Sequence, residues 1–185
     1  MTMSLHLTQM HHVLRDYKDG RIDVRERFTL QLAALSTVVL LQHGACLGPW
    51  DDGTTIPSVR RNAPLTVLTR VPPSLYGEHR AVLTPRRADF GRDVDASRFT
   101  VSGDVQGDRV LLFEDTFVSG GATFSATATL RAAGATVVGP LIIGRHVRAD
   151  WAPSVEMLSW LRAVPWSEDT CARCGGAGQE PASLF

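Results

Sequence analysis

Two neighbouring acids, Glu114 and Asp115, are the residues whose type and spacing point most directly to chemistry. They follow four consecutive apolar residues, 110–113, a run long enough for a buried strand. A short run of small and hydroxyl-bearing residues comes next, and residues 122–133 then show helical spacing that closes at Gly134, where a C-terminal cap is expected. The pattern predicts a strand, a tight loop and a helix N-terminus, with both acids at the carboxyl end of the strand.

A loop that opens a helix in this way favours an anionic ligand, because the first backbone N–H groups of the helix are unpaired and its dipole attracts negative charge. The two acids would repel a bare phosphate. A sugar phosphate resolves this conflict, since its phosphate takes the loop amides while the carboxylates accept hydrogen bonds from vicinal hydroxyls or share a divalent cation with the ligand. The loop lacks the spacing of a P-loop or a dinucleotide fold. The sequence therefore predicts a ribose 5-phosphate site.

Residues 110–123 resemble the phosphoribosyl diphosphate (PRPP) loop of the type I phosphoribosyltransferases. The resemblance implies that Glu114 and Asp115 are the catalytic acids, that they hold the ribose 2- and 3-hydroxyls, and that Mg²⁺ accompanies PRPP. The loop around the 5-phosphate would then consist of Thr116, Phe117, Val118, Ser119, Gly120, Gly121, Ala122 and Thr123. An ordinary strand-turn-helix with exposed acids is the alternative interpretation.

Two residues depart from the pattern of the family. Val118 stands where many base-salvage members have an acid that assists the purine, and Ala122 stands where most have Thr or Ser, although Thr123 supplies a hydroxyl one residue later. Backbone donors dominate phosphate binding, so neither change is expected to prevent it. Purine salvage of the hypoxanthine-guanine kind is disfavoured.

A second loop is predicted after residues 65–71, which are interpreted as a strand ending in Pro72-Pro73-Ser74. By resemblance to the family, and to its ComF-like branch, this loop binds the pyrophosphate. The charge-rich residues 75–98 occupy the place of the mobile catalytic loop of the family. The predicted pyrophosphate-binding residues are Arg70, Val71, Pro72, Ser74, Arg80, Arg86 and Arg87. A plain strand end and a solvated surface are the alternatives.

Residues 1–63 are expected to hold a small N-terminal hood and a helical segment. Helical spacing from Met10 to Tyr17 stops at Asp19-Gly20, and this stretch loosely resembles the Leu-Lys-Tyr-Arg-Gly element of ComF-type proteins. A long apolar helix is predicted over residues 26–41, and residues 42–63 are read as irregular. The adjacent His11 and His12 are interpreted as surface or hood residues rather than metal ligands.

The alternation of strands and helices predicts an α/β fold with a mainly parallel twisted sheet flanked by helices. Further strands are expected at residues 99–101 and at 136–143, the latter interrupted at Gly139-Pro140, and a last helix at 154–162. One phosphoribosyltransferase-like domain would then span residues 1–165. The tail, residues 166–185, carries a Cys-x-x-Cys pair, Cys171 and Cys174. Zinc needs four ligands, so Cys46 with His43 or a second subunit would have to complete such a site, and absence of metal is favoured.

Composition limits the compartment and the partners. The 185 residues contain 19 basic and 19 acidic side chains, so no bulk charge favours nucleic acid or a membrane surface. An odd number of cysteines, three, favours a reducing compartment. No signal peptide is recognised, and the most apolar run, residues 29–41, is shorter than the roughly 20 residues of a membrane span. We expect a cytoplasmic protein without a membrane segment, and the resemblance implies a homodimer.

The sequence thus predicts an enzyme that transfers the phosphoribosyl group of PRPP to a nitrogenous small-molecule acceptor and releases pyrophosphate. A non-catalytic PRPP- or nucleotide-binding protein, ComF-like or regulatory, is the alternative. A ribose-phosphate hydrolase or pyrophosphokinase-like activity on the same loop is a third interpretation.

Overall fold

The computed structural model describes residues 2–5, 9–57, 63–80, 82–86 and 91–163. Its elements, in chain order, are β1 (Thr2–Leu5), α1 (Gln9–Asp19), α2 (Ile22–Leu47), β2 (Asp52–Thr55), α3 (Ala63–Leu68), α4 (Pro73–Tyr76), β3 (Glu78–His79), β4 (Leu83–Pro85), β5 (Phe99–Val101), β6 (Arg109–Phe117), α5 (Gly121–Ala132), β7 (Thr136–Val147) and α6 (Ala152–Ala163). The described ranges do not include Arg87 or the tail with Cys171 and Cys174, so the predictions made for these residues stay predictions.

The apolar run at residues 110–113 forms the centre of the sheet. Strand order is β1-β7-β6-β2-β3, every neighbouring pair is parallel, and β4 and β5 form a separate antiparallel pair. All four residues of the run are nearly inaccessible to solvent, as expected of a parallel strand covered on both faces. The prediction of an α/β fold with a mainly parallel sheet flanked by helices is confirmed.

Each face of the sheet has its own apolar core. Leu111 and Phe113 pack against residues from α1, α2 and α3, while Val110 and Leu112 pack against α5 and the β4–β5 pair. We call these the α2 face and the α5 face. The alternation follows from the two-residue period of a strand, and it decides below which face each acid reaches.

The strand predicted at residues 65–71 is wrong, because residues 63–68 form α3. Its β-branched composition suggested a strand, but Pro64, Val67, Leu68 and Val71 are the buried positions. That spacing of three and four residues places them on one side of a helix, whereas a strand would bury every second residue. Burial of one helical face therefore outweighed the preference of these residues for a β-strand.

The corresponding strand lies earlier, in a segment predicted to be irregular. Residues 52–55 form β2, which pairs with β6 from Asp52 opposite Val110 to Thr55 opposite Phe113. The strand was not predicted because Asp51-Asp52-Gly53 has the composition of a turn. The residues that follow, Thr54, Thr55 and Ile56, are β-branched and buried, as is typical of a strand. Trp50, just before β2, packs against the core of the α2 face.

The long apolar helix is longer than predicted, with 26 residues from Ile22 to Leu47. By length and composition this helix is long and apolar enough to cross a membrane, but a core helix of a soluble protein can have the same length and composition. Of its most apolar 18-residue window, 28% is buried. Leu32, Ser36 and Leu40 face the core, whereas Val38 and Leu41 are 45% and 67% exposed. The expectations of no membrane segment, a cytoplasmic location and a homodimer stay predictions.

The N-terminal segment contributes to the sheet as well as to the site. The predicted helix ending at Asp19 is present as α1, but β1 pairs with the end of β7 and becomes the edge strand of the sheet. Strand β7 continues through Gly139 and Pro140, with a register shift against β6 in place of the predicted interruption. Proline is tolerated there because β1 pairs with β7 only from Gly144 onward. At Pro140, the edge of β7 that faces away from β6 therefore needs no backbone N–H donor.

Candidate functional site

Glu114 and Asp115 lie inside β6 rather than after it, since the strand continues to Phe117. Successive side chains of a strand point to opposite faces, so Glu114 reaches the α5 face and Asp115 the α2 face. Both are buried, with 8% and 5% of their surfaces exposed. The structure therefore places the two acids at the carboxyl end of the central strand, as predicted, but does not place their side chains side by side.

Asp115 is held by the C-terminal end of α1. The hydroxyl of Tyr17 donates a hydrogen bond to Asp115 Oδ2, and Lys18 Nζ lies 2.5 Å from the same oxygen. Lys18 also donates to Thr116 Oγ1 at 3.4 Å. Burial and the negative charge of Asp115 raise the pKa of Tyr17, which keeps it a neutral donor. Sequence reasoning missed both residues as site residues, because the contact spans nearly a hundred positions of the chain.

Glu114 is held by the first turn of α5. Thr123 Oγ1 donates a hydrogen bond to Glu114 Oε2, so the hydroxyl predicted to serve the phosphate instead contacts the first acid. Burial raises the pKa of Glu114 to about 7, and it outweighs the opposing effects of the Thr123 hydrogen bond and of the charges on Lys18 and Arg98. Glu114 therefore exchanges a proton near neutral pH. Asp115 differs from it in having the cation of Lys18 directly beside it.

We expect Glu114→Gln to change the pH dependence of stability. A carboxyl whose pKa rises from 4.5 to about 7 on folding takes up a proton, so its contribution to stability falls as pH rises through that window. Glutamine does not ionise, so the variant lacks this loss of stability at higher pH. It should be more stable than the parent by about 3 kcal/mol at pH 8, with the difference falling below about 0.5 kcal/mol near pH 4.5. Urea denaturation across this pH range measures it, and a pH-independent difference would contradict the expectation.

The loop after the acids presents backbone donors that have no partner among the described residues. Gly120 has φ +84, the left-handed region that glycine enters freely, and its carbonyl accepts the first helical hydrogen bond, from Phe124 N–H at 2.8 Å. No hydrogen bond from a backbone N–H of residues 118–123 to any described part of the chain is present. These amides lie at the N-terminus of a 12-residue helix, which makes the loop suitable for an anion.

Residues 91–98, which precede β5, run along the start of α5. A Cβ added to Gly121 would lie 2.4 Å from the carbonyl oxygen of Arg92, and the N–H of Asp95 donates to Ser125 Oγ at 2.9 Å. Glycine at residue 121 is therefore required by close packing of two backbones. Arg86, a predicted pyrophosphate ligand, is exposed directly after β4, and its N–H donates to the carbonyl of Arg98.

The predicted pyrophosphate residues Arg70, Val71, Pro72 and Ser74 do not lie near the acids. They precede or begin α4, which leads into β3, and β3 starts opposite Asp52 at the amino end of β2. Val71 is 1% exposed and belongs to the core of the α2 face. Because the acids lie at the carboxyl ends of the strands, the structure does not support a pyrophosphate loop here.

Arg80 is also located at the amino end of the sheet. Its Nη1 lies 2.5 Å from Asp52 Oδ2 and 2.6 Å from Asp108 Oδ2, and its Nη2 donates to the Asp104 carbonyl at 2.6 Å. These contacts tie β3 to the starts of β2 and β6. The guanidinium that was predicted to bind diphosphate is instead a structural ion pair.

We expect Arg80→Gln to lower the free energy of unfolding by about 1 kcal/mol, since the pair is partly exposed. Affinity for PRPP should remain within about twofold of the parent, because a group at the far end of the sheet contributes little through screened charge. Urea denaturation and titration calorimetry with PRPP and Mg²⁺ measure the two quantities. A large loss of affinity without loss of stability would restore the original prediction.

The carboxyl end of β2 lies beside the acids. Ile56 N–H donates to the Phe113 carbonyl at 3.0 Å, so the chain leaves β2 next to the residue before Glu114. Thr54 Oγ1 is buried without a hydrogen-bond partner among the described residues. Residues 58–62, which follow, lie outside the described ranges and include Arg60 and Arg61 in the sequence.

The described residues include no group of three or more His, Cys, Asp or Glu side chains arranged to hold a metal ion. The rings of His11 and His146 approach to 5.1 Å between centroids, and His11 and His12 to 5.8 Å, without forming such a group. Zinc at Cys171 and Cys174 concerns residues outside the described ranges and stays a prediction.

Comparison with known proteins adds a fold likeness. No protein-family model and no curated sequence matches the chain. The chain is similar to the crystal structure of a phosphoribosyltransferase from Corynebacterium diphtheriae, with 19% sequence identity and a TM-score of 0.41, over 75% of this chain and 94% of the other. At this identity and TM-score, the likeness establishes neither a family nor an activity.

Proposed function

We propose that the chain binds PRPP at the carboxyl end of β6 and transfers its phosphoribosyl group to a nitrogenous acceptor, with release of pyrophosphate. One observation carries the proposal: at the carboxyl edge of a parallel sheet, two buried acids are followed, after residues 116–119, by a left-handed glycine, and the backbone N–H groups of residues 118–123 have no partner among the described residues. This edge is where ligands bind in open α/β sheets. The loop suits a phosphate, and the acids suit the hydroxyls of its sugar.

In this proposal the backbone N–H groups of residues 118–123 receive the 5-phosphate. Asp115 accepts a hydrogen bond from a ribose hydroxyl through Oδ1, since Tyr17 and Lys18 both contact Oδ2. Lys18 supplies positive charge at the same edge, a role that was predicted for Arg80. Of the residues predicted to bind the pyrophosphate, Arg86 and Arg87 keep that role in the proposal.

The reaction requires the protein mainly to position PRPP and the acceptor. The bond between ribose C1 and the diphosphate oxygen breaks with its electron pair on pyrophosphate, the acceptor nitrogen donates its lone pair to C1, and any proton on that nitrogen leaves to solvent. Positive charge develops on the ribose ring, so the buried carboxylates stabilise it while the loop holds the sugar in place. Mg²⁺ would be held by diphosphate oxygens together with Asp115, and it would neutralise charge on the leaving group. Val118 is no obstacle, because no step requires an acid there.

The test combines purified protein, PRPP and Mg²⁺ and follows pyrophosphate release with and without a panel of nitrogenous acceptors. Acceptor-dependent release supports transfer. Release without an acceptor indicates hydrolysis instead. Failure of PRPP to bind in calorimetry contradicts the proposal outright.

One contact favours the second candidate, a non-catalytic PRPP-binding protein. Tyr17 and Lys18 already bind the carboxylate that ribose would use, so α1 could report on ligand occupancy rather than promote transfer. Tight PRPP binding without pyrophosphate release for any acceptor would select this alternative. A matching change in protease protection of α1 on addition of PRPP would strengthen it.

A further inference from the structure

The surface next to the phosphate loop is apolar and aromatic and carries one cation. We call the acceptor surface the group formed by Phe117, Val118, Phe124 and Arg145. Val118 is 52% and Phe124 50% exposed, and the rings of Phe117 and Phe124 meet edge to face at 6.1 Å. Exposed apolar side chains clustered beside a polar site indicate a binding surface for a ring.

Arg145 adds a cation that has no counterion among the described residues. It lies opposite Phe117 in the β6–β7 pairing, and its guanidinium carbon is 5.5 Å from the centre of that ring. The side chain is only partly exposed, and within the described ranges it forms no ion pair or side-chain hydrogen bond. A half-buried guanidinium stacked on an aromatic ring presents its donors in a plane that matches a carboxylate.

From this juxtaposition we propose that the acceptor is a planar aromatic ring bearing a carboxylate, with Arg145 pairing the carboxylate and Phe117, Val118 and Phe124 covering the ring. The inference rests on the proposed function and names the acceptor class for it. Arg145 touches the substrate and sets specificity, and no proton transfer is assigned to it.

The neighbouring charges permit an anionic acceptor. Lys18 lies against Asp115, and Glu114 takes up a proton near neutral pH, so the acids do not present two uncompensated negative charges to this surface. Val118 in place of an acid removes a third source of repulsion. An acid at residue 118 would oppose a carboxylate, whereas valine contacts the ring.

The test uses acceptor pairs that differ only in charge: pyridine-3-carboxylate against pyridine-3-carboxamide, and 2-aminobenzoate against 2-aminobenzamide, each with PRPP and Mg²⁺. The parent should use a carboxylate with kcat/KM about tenfold or more above its amide. Arg145→Gln should lower kcat/KM for carboxylates about 10- to 100-fold, leave the amides unchanged and leave the Kd for PRPP unchanged. Arg145→Lys should recover part of the loss. Arg148→Gln, an exposed arginine paired with Asp150 just after β7, is the matched control.

Several outcomes separate this inference from the proposed function. Equal or greater use of the amides, or an Arg145→Gln variant that keeps the preference, overturns the acceptor class while transfer stands. If PRPP binds but no acceptor reacts, the four compounds are titrated against the PRPP-loaded protein. Carboxylates that bind no tighter than their amides then overturn the inference. Failure of PRPP to bind removes both.

Discussion

Asp115→Asn is expected to weaken PRPP binding about 10- to 150-fold, the largest effect we predict for a single isosteric change. The variant replaces a charged acceptor by a neutral amide, and charge-assisted hydrogen bonds contribute about 1.5–3 kcal/mol each. It also leaves Lys18, whose side chain is 30% exposed, beside an amide that cannot neutralise it. The free energy of unfolding should fall by about 1–3 kcal/mol, less than for a fully buried pair.

Asp16→Asn is the matched control, because Asp16 is a carboxylate one residue before Tyr17 that pairs with the exposed Arg15. Its PRPP affinity should equal that of the parent. Calorimetry with PRPP and Mg²⁺ and denaturation in urea give both quantities for each variant. A folded Asp115→Asn protein that binds PRPP as tightly as the parent would refute a role for this carboxylate in ligand binding.

Gly120→Ala is expected to produce the second large effect. Its backbone is left-handed at φ +84, and a Cβ there would lie 2.5 Å from the ring of Phe124 and 2.8 Å from that of Phe117. Backbone strain costs about 1–2 kcal/mol and displacement of the two rings adds about 1–3 kcal/mol. Because the displaced loop carries the phosphate-binding amides, affinity for PRPP should fall about tenfold or more.

Gly107→Ala separates the two contributions. Gly107 has nearly the same φ, +82, but a Cβ there meets no atom within 4 Å. This control should show only the backbone cost, about 1–2 kcal/mol, and an unchanged PRPP affinity. If both variants lost the same stability and both bound PRPP normally, the rings around Gly120 would have no role in shaping the loop. Adding Phe124→Ala to Gly120→Ala should recover part of the lost stability, because it removes the nearer ring.

The sequence alone determined the features that depend on local chemistry. Four apolar residues, two acids, small residues and a helical period define β6, its loop and α5, and these follow one another in the predicted order, although β6 continues through both acids to Phe117. The same holds for α1 and for the parallel α/β class. Local order was sufficient here because apolar periodicity, glycine and the helix N-terminus act over a few residues.

Tertiary structure alone decided which residues reach the acids. Residues 63–71 have the composition of a strand, but packing on one face made 63–68 a helix, and the strand beside β6 came instead from Asp52–Thr55. With that exchange Arg70 precedes α4 and Arg80 lies at the amino end of the sheet. Tyr17 and Lys18 reach Asp115 from α1, and Arg145 reaches Phe117 from β7. No local pattern encodes these contacts, because they depend on strand order and register, which the whole buried core determines.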